Sequence, residues 1–184
     1  MDFFNRKKGF TLVELLITIA LVAVISALAV PSFQTLIKKS RTSVEAQRVL
    51  TTLYYARMEA IKRNSLVSLC PSSDGLACNP DLSWMDGWIV FSDRGKRGEL
   101  DHDMDRVIRV GDPAQNGYLL YTTKHHKWFG YQSDGNSVGS SGSGNTSFII
   151  CSPDGGIEGR RVVVSITGRP RVATGIGDRV CDGG

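Results

Sequence analysis

The chain has 184 residues with a formal charge of +4, 41% hydrophobic residues and four cysteines. About 120 residues remain beyond an N-terminal apolar segment and the helix it opens, enough for one small domain core and no second one. The charge is segregated. Residues 38–63 hold seven Lys/Arg against Glu45 and Glu59, residues 64–158 hold seven against twelve acids, and residues 159–179 hold five Arg against Asp178 alone.

The first nine residues, MDFFNRKKG, carry the cluster Arg6, Lys7 and Lys8. The 21 residues 10–30 that follow are apolar except for Thr11, Glu14, Thr18 and Ser26, about the length that crosses a hydrocarbon core of roughly 30 Å. The basic cluster places the leader on the cytoplasmic side. A secretory signal peptide carries its small-residue cleavage site after the apolar run. Here Gly9 stands before it. Cutting after Gly9 keeps the apolar segment and exposes a new amine on Phe10, with Glu14 as the fifth residue of the mature chain. A carboxylate inside an apolar helix costs roughly 2.5–3.5 kcal/mol at the bilayer centre, so it marks a site with a partner. In a bundle of identical helices staggered by about one turn, Glu14 of one chain meets the Phe10 ammonium of its neighbour.

KKGFTLVELLITIALVAVISALAVP resembles the N-terminus of type IV prepilins, shared by pilins and by the pseudopilins of type II secretion. The resemblance implies cleavage after Gly9 by a prepilin peptidase, N-methylation of Phe10, and helix packing in a filament with Glu14 in register. It also implies an inner-membrane anchor with a periplasmic globular domain, later carried outside the cell in a pilus.

Pro31 follows the apolar run and is expected to bend the helix. Beyond it, Leu50, Tyr54, Met58 and Ile61 form one apolar stripe at helical spacing, and Val49, Leu53, Ala56 and Ala60 form another. They predict a helix to about residue 63 whose second half packs on a domain. After Asn64 come seven β-type runs, SLVSLC, GWIVFSD, RVIRV, YLLYTT, SFIIC, RRVVVSI and PRVAT. The expected class is α+β, a long N-terminal helix packed on a largely antiparallel sheet domain. This divides the chain into a leader (1–9), a pilin-like helix (10–63, with 10–30 spanning the membrane) and a β-rich domain (64–184). The segment NSVGSSGSGN (136–145) reads as a flexible loop.

Cys70, Cys78, Cys151 and Cys181 allow three disulfide pairings. The short separation of the first two and the late position of the others favour 70–78 and 151–181. No close CxxC pair supports zinc. Asp101, Asp103 and Asp105 open like a calcium loop, but Arg106 stands where the glycine is needed. His125 and His126 are adjacent and point to opposite faces of a strand. No catalytic arrangement, metal site or cofactor motif emerges.

The informative stretch is GRRVVVSITGRPRVATGIGDR. Arg169 and Arg171 bracket Pro170, and side chains two apart in an extended chain project from one side. Arg160, Arg161 and Arg179 complete the block. Guanidinium presents a planar fork suited to phosphate and keeps its charge. Five arginines facing one acid in this stretch point to phosphate contacts rather than to pairing with the domain's own acids.

Trp84, Gly87, Trp88 and the later GRPR are similar to the FimT/FimU-type minor pilins of the GspH/FimT group. In that group a C-terminal GRxR motif is associated with DNA binding in natural transformation, and residues 168–171 match it in full. The resemblance implies a non-catalytic minor pilin that captures extracellular DNA, alongside other pilins. The rival is a structural subunit that primes pilus assembly, or a GspH-like pseudopilin without DNA binding.

Overall fold

The computed structural model describes residues 9–154, 157, 159–173 and 181. Arg179 lies outside them. A long α-helix, α1, runs over Leu12–Arg63. Its start is capped by Thr11 and Glu14. The Glu14 backbone N–H donates to the Thr11 hydroxyl at 3.2 Å, and the Glu14 carboxylate accepts from the Thr11 backbone N–H at 3.3 Å. This reciprocal pair satisfies two donors that a helix start otherwise leaves open. Pro31 lies inside the continuous helix. The chain divides into two compact units at Ile37/Lys38, so residues 38–63 belong to the globular unit.

In the first unit the helix is exposed along its apolar run, from Leu12 at 73% to Leu36 at 62%, and it is long and apolar enough to cross a membrane.

Among the described residues of the globular unit, ten strands build two antiparallel sheets. The six-stranded sheet has the order β3 (Arg106–Gly111), β2 (Trp88–Ser92), β1 (Val67–Pro71), β5 (Phe129–Tyr131), β6 (Ser137–Gly139), β7 (Gly142–Ser143). The four-stranded sheet has the order β10 (Pro170–Ala173), β9 (Arg160–Val164), β8 (Thr146–Cys151), β4 (Leu119–Thr122). Each of the seven β-type runs forms a strand. The three additional ones, β5 to β7, are short and glycine-rich.

The core unites the helix with both sheets. Val49, Leu53, Ala56 and Ala60 of α1 pack with Leu69, Val90, Phe129 and Tyr131 of one sheet and Phe148, Ile150, Val162 and Val164 of the other. Phe129 meets Tyr131 and Phe148 edge-on at 5.3 and 5.7 Å, a geometry aromatic quadrupoles favour. The parallel stripe of Tyr54, Met58 and Ile61 stays exposed, at 47%, 65% and 46%. The core accepts the stripe centred on alanine because small side chains let the helix approach the sheets. Along β2 the alternation covers both faces. Trp88 and Val90 enter the main core, while Ile89 and Phe91 join Cys70 in a second cluster on the outer face. Arg48 caps this region, its guanidinium 4.6 Å above the Trp88 ring and its Nη1 donating to the Asp112 carbonyl at 2.6 Å.

The Gly/Ser segment is not a loose loop. It forms the β6–β7 hairpin around the buried His125, whose Nδ1 accepts from the Ser141 N–H at 3.2 Å and whose Nε2 lies 3.0 Å from the Ser143 carbonyl. Two of its three glycines are packing requirements. A Cβ on Gly139 would collide with the imidazole, and one on Gly144 would collide with the Ser137 carbonyl. A composition that suggests flexibility here reflects close approach to a ring and a backbone.

Candidate nucleic-acid interface

The arginine block sits on the β9–β10 hairpin at one edge of the four-stranded sheet. Pro170 pairs with Val164, Arg171 with Val163, Val172 with Val162 and Ala173 with Arg161. Val162, Val164 and Pro170 are buried, so Val163, Arg161 and Arg171 occupy the opposite, outer face. Arg161 and Arg171 are diagonal cross-strand neighbours there, roughly 7–8 Å apart. Arg169 continues the alternation of Arg171 and is exposed. Arg160 shares its parity with Val162 and therefore lies on the other face from Arg161. The fold thus brings Arg161, Arg169 and Arg171 to one side and leaves Arg160 at the strand's start, half-buried.

Among the described residues, none of these four arginines makes an ion pair or a side-chain hydrogen bond. The acids that do pair take other cations: Asp154 with Lys38, Glu45 with Arg48, Glu59 with Lys62 and Arg63, Glu99 with Lys96. Nε of Arg161 is itself buried without a partner.

The backbone beneath these side chains is held from three sides. Gly168 adopts φ +76°, where an L side chain is strained, and a Cβ there would collide with the Gly135 carbonyl oxygen. Its N–H closes the turn on the Ser165 carbonyl at 2.9 Å. From α1, Arg57 donates through Nε to Gly135 O at 3.0 Å and through Nη2 to Thr167 O at 3.3 Å, and the Tyr54 hydroxyl donates to Pro170 O at 3.0 Å. From β6, Ser137 donates its N–H to Ile166 O at 3.0 Å and its hydroxyl to Ser165 O at 2.8 Å. Glycine and proline of GRPR are therefore structural residues, and its two arginines are the exposed ones. Sequence reasoning missed Tyr54, Arg57 and Ser137, which act on backbone carbonyls. Tyr54 was legible only as apolar and Arg57 only as one cation among seven.

Two disulfides frame the unit, Cys70 to Cys78 and Cys151 to Cys181. The second ties the chain beyond β10 back to β8. No group of three or more metal-ligating side chains occurs among the described residues. Asp101, Asp103 and Asp105 form a turn, in which Asp105 accepts from the N–H groups of Arg94 and Asp101 at 2.7 and 2.9 Å. At the N-terminus, Gly9 is exposed, and a Cβ there would meet nothing within 4 Å, so packing places no demand for glycine at that position.

A lipid-length apolar helix, continued into a domain of antiparallel sheets, defines a type IV pilin-like subunit. Residues 45–168 match the family described as "Type II transport protein GspH", and residues 4–30 match the "Prokaryotic N-terminal methylation motif". The chain belongs to the GspH family, whose members are minor pilins and pseudopilins. The fold is similar to that of the type IV minor pilin FimU of Pseudomonas aeruginosa, with a TM-score of 0.56, 17% identity, and coverage of 73% of this chain and 90% of that one. The type IV major fimbrial protein FimA of Dichelobacter nodosus is 29% identical over 113 residues, 59% of this chain and 62% of that protein. Fimbrial protein Q of Moraxella bovis is 49% identical over 39 residues, 21% of this chain. The chain thus spans only a quarter of the Moraxella protein's length and under two thirds of the Dichelobacter one's.

Proposed function

We propose that this chain is a minor type IV pilin that binds extracellular DNA, without sequence preference, for uptake in natural transformation. Arg169 and Arg171 supply the main phosphate contacts, Arg161 adds to them from the same face, and Arg160 and Arg179 extend the basic block. The observation that carries this reading is the contrast within GRPR: a backbone clamped from helix and sheet beneath guanidiniums with no partner among the described residues. Such an arrangement lowers the ordering cost of binding, because the backbone that carries the two side chains is set before phosphate arrives. The chemistry is one of contacts, with no catalytic step.

In the same reading, prepilin peptidase cleaves after Gly9 and Phe10 is methylated. The helix anchors the chain in the inner membrane with the globular unit in the periplasm, and then enters a filament with other pilins. The Glu14 carboxylate, which caps its own helix start here, exchanges the Thr11 N–H for the Phe10 ammonium of a neighbour.

The test is fluorescence anisotropy of labelled duplex with the full-length chain in detergent. Three or four phosphate contacts give micromolar affinity and a log–log salt slope of about −3. Arg169→Gln with Arg171→Gln should weaken binding at least tenfold and reduce the slope by about two. Unchanged binding by that double variant would refute the DNA reading.

The match to a family described as a type II transport protein supports a second reading, a pseudopilin or assembly-priming subunit without DNA binding. It predicts that the double variant, introduced into cells, impairs filament assembly or secretion while the duplex affinity of the parent is already negligible.

A further inference from the structure

A cleft of about 450 Å³ opens on the outer face of the six-stranded sheet, on the side away from the helix. Its lining includes Trp128, Arg97, Lys127, Leu100 and the Cys70–Cys78 disulfide at Cys78. Trp128 is half-buried against the cluster of Cys70, Ile89 and Phe91, and Arg97 and Lys127 are exposed. Neither cation has an ion-pair partner among the described residues. Two acids are close: Glu99 lines the cleft and is engaged by Lys96 at 2.5 Å, and Asp93 is buried beneath the loop, where it accepts the Gly98 N–H at 2.7 Å and the Ser68 hydroxyl at 2.6 Å and feels the charge of Arg97. The cleft is therefore lined by the part of the Trp128 indole that Gly98 leaves uncovered, with Arg97 and Lys127 beside it and Glu99 held by Lys96.

Its walls are fixed before any ligand arrives. Gly98 has φ +76°, and a Cβ there would collide with the Trp128 ring, so the loop lies directly against the indole. Asp93 and Asp105 hold that loop from below through the N–H groups of Gly98, Arg94 and Asp101. The disulfide fixes the part of the lining that Cys78 contributes.

We propose that this cleft is a second nucleic-acid subsite that takes one unpaired base of a single strand against Trp128, with Arg97 and Lys127 on the adjoining phosphates. Stacking on an aromatic side chain tolerates any base, and it is open only to bases free of their duplex partners. Along its length a duplex presents its phosphates to the arginine hairpin but no base face to Trp128. The inference rests on the nucleic-acid reading above and adds to it a preference for single-stranded ends or gaps.

The intrinsic tryptophan signal isolates the site, because Trp84 and Trp88 are buried at 3% and 2% exposure while Trp128 lines the cleft. The full-length chain in detergent is titrated with a short oligothymidylate, with a blunt duplex and with polygalacturonate, an anionic polymer without bases. Oligothymidylate should quench the emission, and the duplex and the polyuronate should not. Trp128→Leu should weaken oligothymidylate binding about tenfold with duplex affinity unchanged, and Trp128→Phe should restore part of it. Arg97→Gln, an exposed change that leaves the packing intact, should also weaken single-strand binding and spare the duplex. Equal quenching by duplex or by polyuronate, or unaltered single-strand affinity in both Trp128→Leu and Arg97→Gln, would overturn the proposal. The double variant of Arg169 and Arg171 separates the two readings, since it should lose duplex binding and keep the quench. A parent chain that ignores duplex yet is quenched by oligothymidylate would refute the arginine hairpin and support the cleft.

Discussion

The Tyr54 hydroxyl, on the helix, donates to the carbonyl of Pro170, between the two exposed arginines, at 3.0 Å. The bond joins residues 116 positions apart, and with Arg57 it fastens the GRPR turn to α1. Tyr54→Phe removes this donor and no charge. The expected outcome is a loss of about 1 kcal/mol in stability by denaturant unfolding, the usual net value of one hydrogen bond. Duplex affinity should fall a few-fold at an unchanged salt slope. A steeper or shallower slope would mean that Tyr54 alters the number of phosphate contacts rather than their positioning.

Gly168 is the second fixed point of the turn. Gly168→Ala drives a methyl group into the Gly135 carbonyl oxygen, in a backbone conformation that already disfavours alanine. Backbone strain and overpacking together should cost about 2–4 kcal/mol. Gly142 has a similar positive φ but open space around it, so Gly142→Ala meets only the conformational penalty, about 1 kcal/mol. Comparing the two by urea denaturation separates steric from torsional cost; equal losses would show that the Gly135 contact relaxes.

Much of this architecture was readable because it depends on local pattern. The lipid-length run, the Gly9–Phe10–Glu14 spacing and the β-branched strands each announce themselves within a few residues. The helix face was half legible. Two apolar stripes had equal claims, and only the third dimension shows that Val49, Leu53, Ala56 and Ala60 face the core while Tyr54, Met58 and Ile61 do not. The hairpin around His125 was not legible, because glycine and serine signal both looseness and close contact. Lys127 and Trp128 were legible as sequence neighbours that could widen a basic patch, but the juxtaposition of Trp128 with Arg97 was not. They are 31 positions apart and meet only through the loop that Asp93 and Asp105 hold in place.

Asp93 gives that loop a dependence on pH. Burial pushes its carboxyl above the usual aspartate value of 3.8, and the like charge of Asp105 adds to this, against the Gly98 and Ser68 hydrogen bonds and the charge of Arg97. Its Oδ1 is buried without a partner. A raised value means the folded chain binds the proton more tightly, so this residue's contribution to stability is largest below 3.8 and is lost as pH rises through its folded value. Asp93→Asn should flatten that part of the stability–pH curve measured by denaturant unfolding. Asp93→Ala, which strands the Gly98 N–H and the Ser68 hydroxyl, should instead cost about 1–3 kcal/mol at every pH. A curve in Asp93→Asn as steep as the parent's would assign the effect to another group.

His125 works in the opposite direction at the β6–β7 hairpin. Burial is the main cause that holds its imidazole below the ordinary value of 6.5, with Lys124 and His126 adding like charge against the opposing bond to Ser143. The neutral ring fits its surroundings: Nδ1 is the acceptor for the Ser141 N–H, which leaves Nε2 to donate to the Ser143 carbonyl. Protonation turns Nδ1 into a donor facing another donor, and it places a cation 5.8 Å from Phe129 inside the fold. Because the folded value is depressed, the unfolded chain binds more protons in the window below 6.5. The contribution of His125 is therefore fully present above 6.5 and is lost as pH falls toward its folded value. Amide exchange at Ser141, corrected for the intrinsic pH dependence of exchange, should accelerate between neutral pH and about pH 5, while amides of β8 and β9 stay protected. His125→Leu should remove the acceleration by leaving nothing to titrate. If Ser141 stayed equally protected across that range, the hairpin would be held by its ladder to β5 and not by the imidazole.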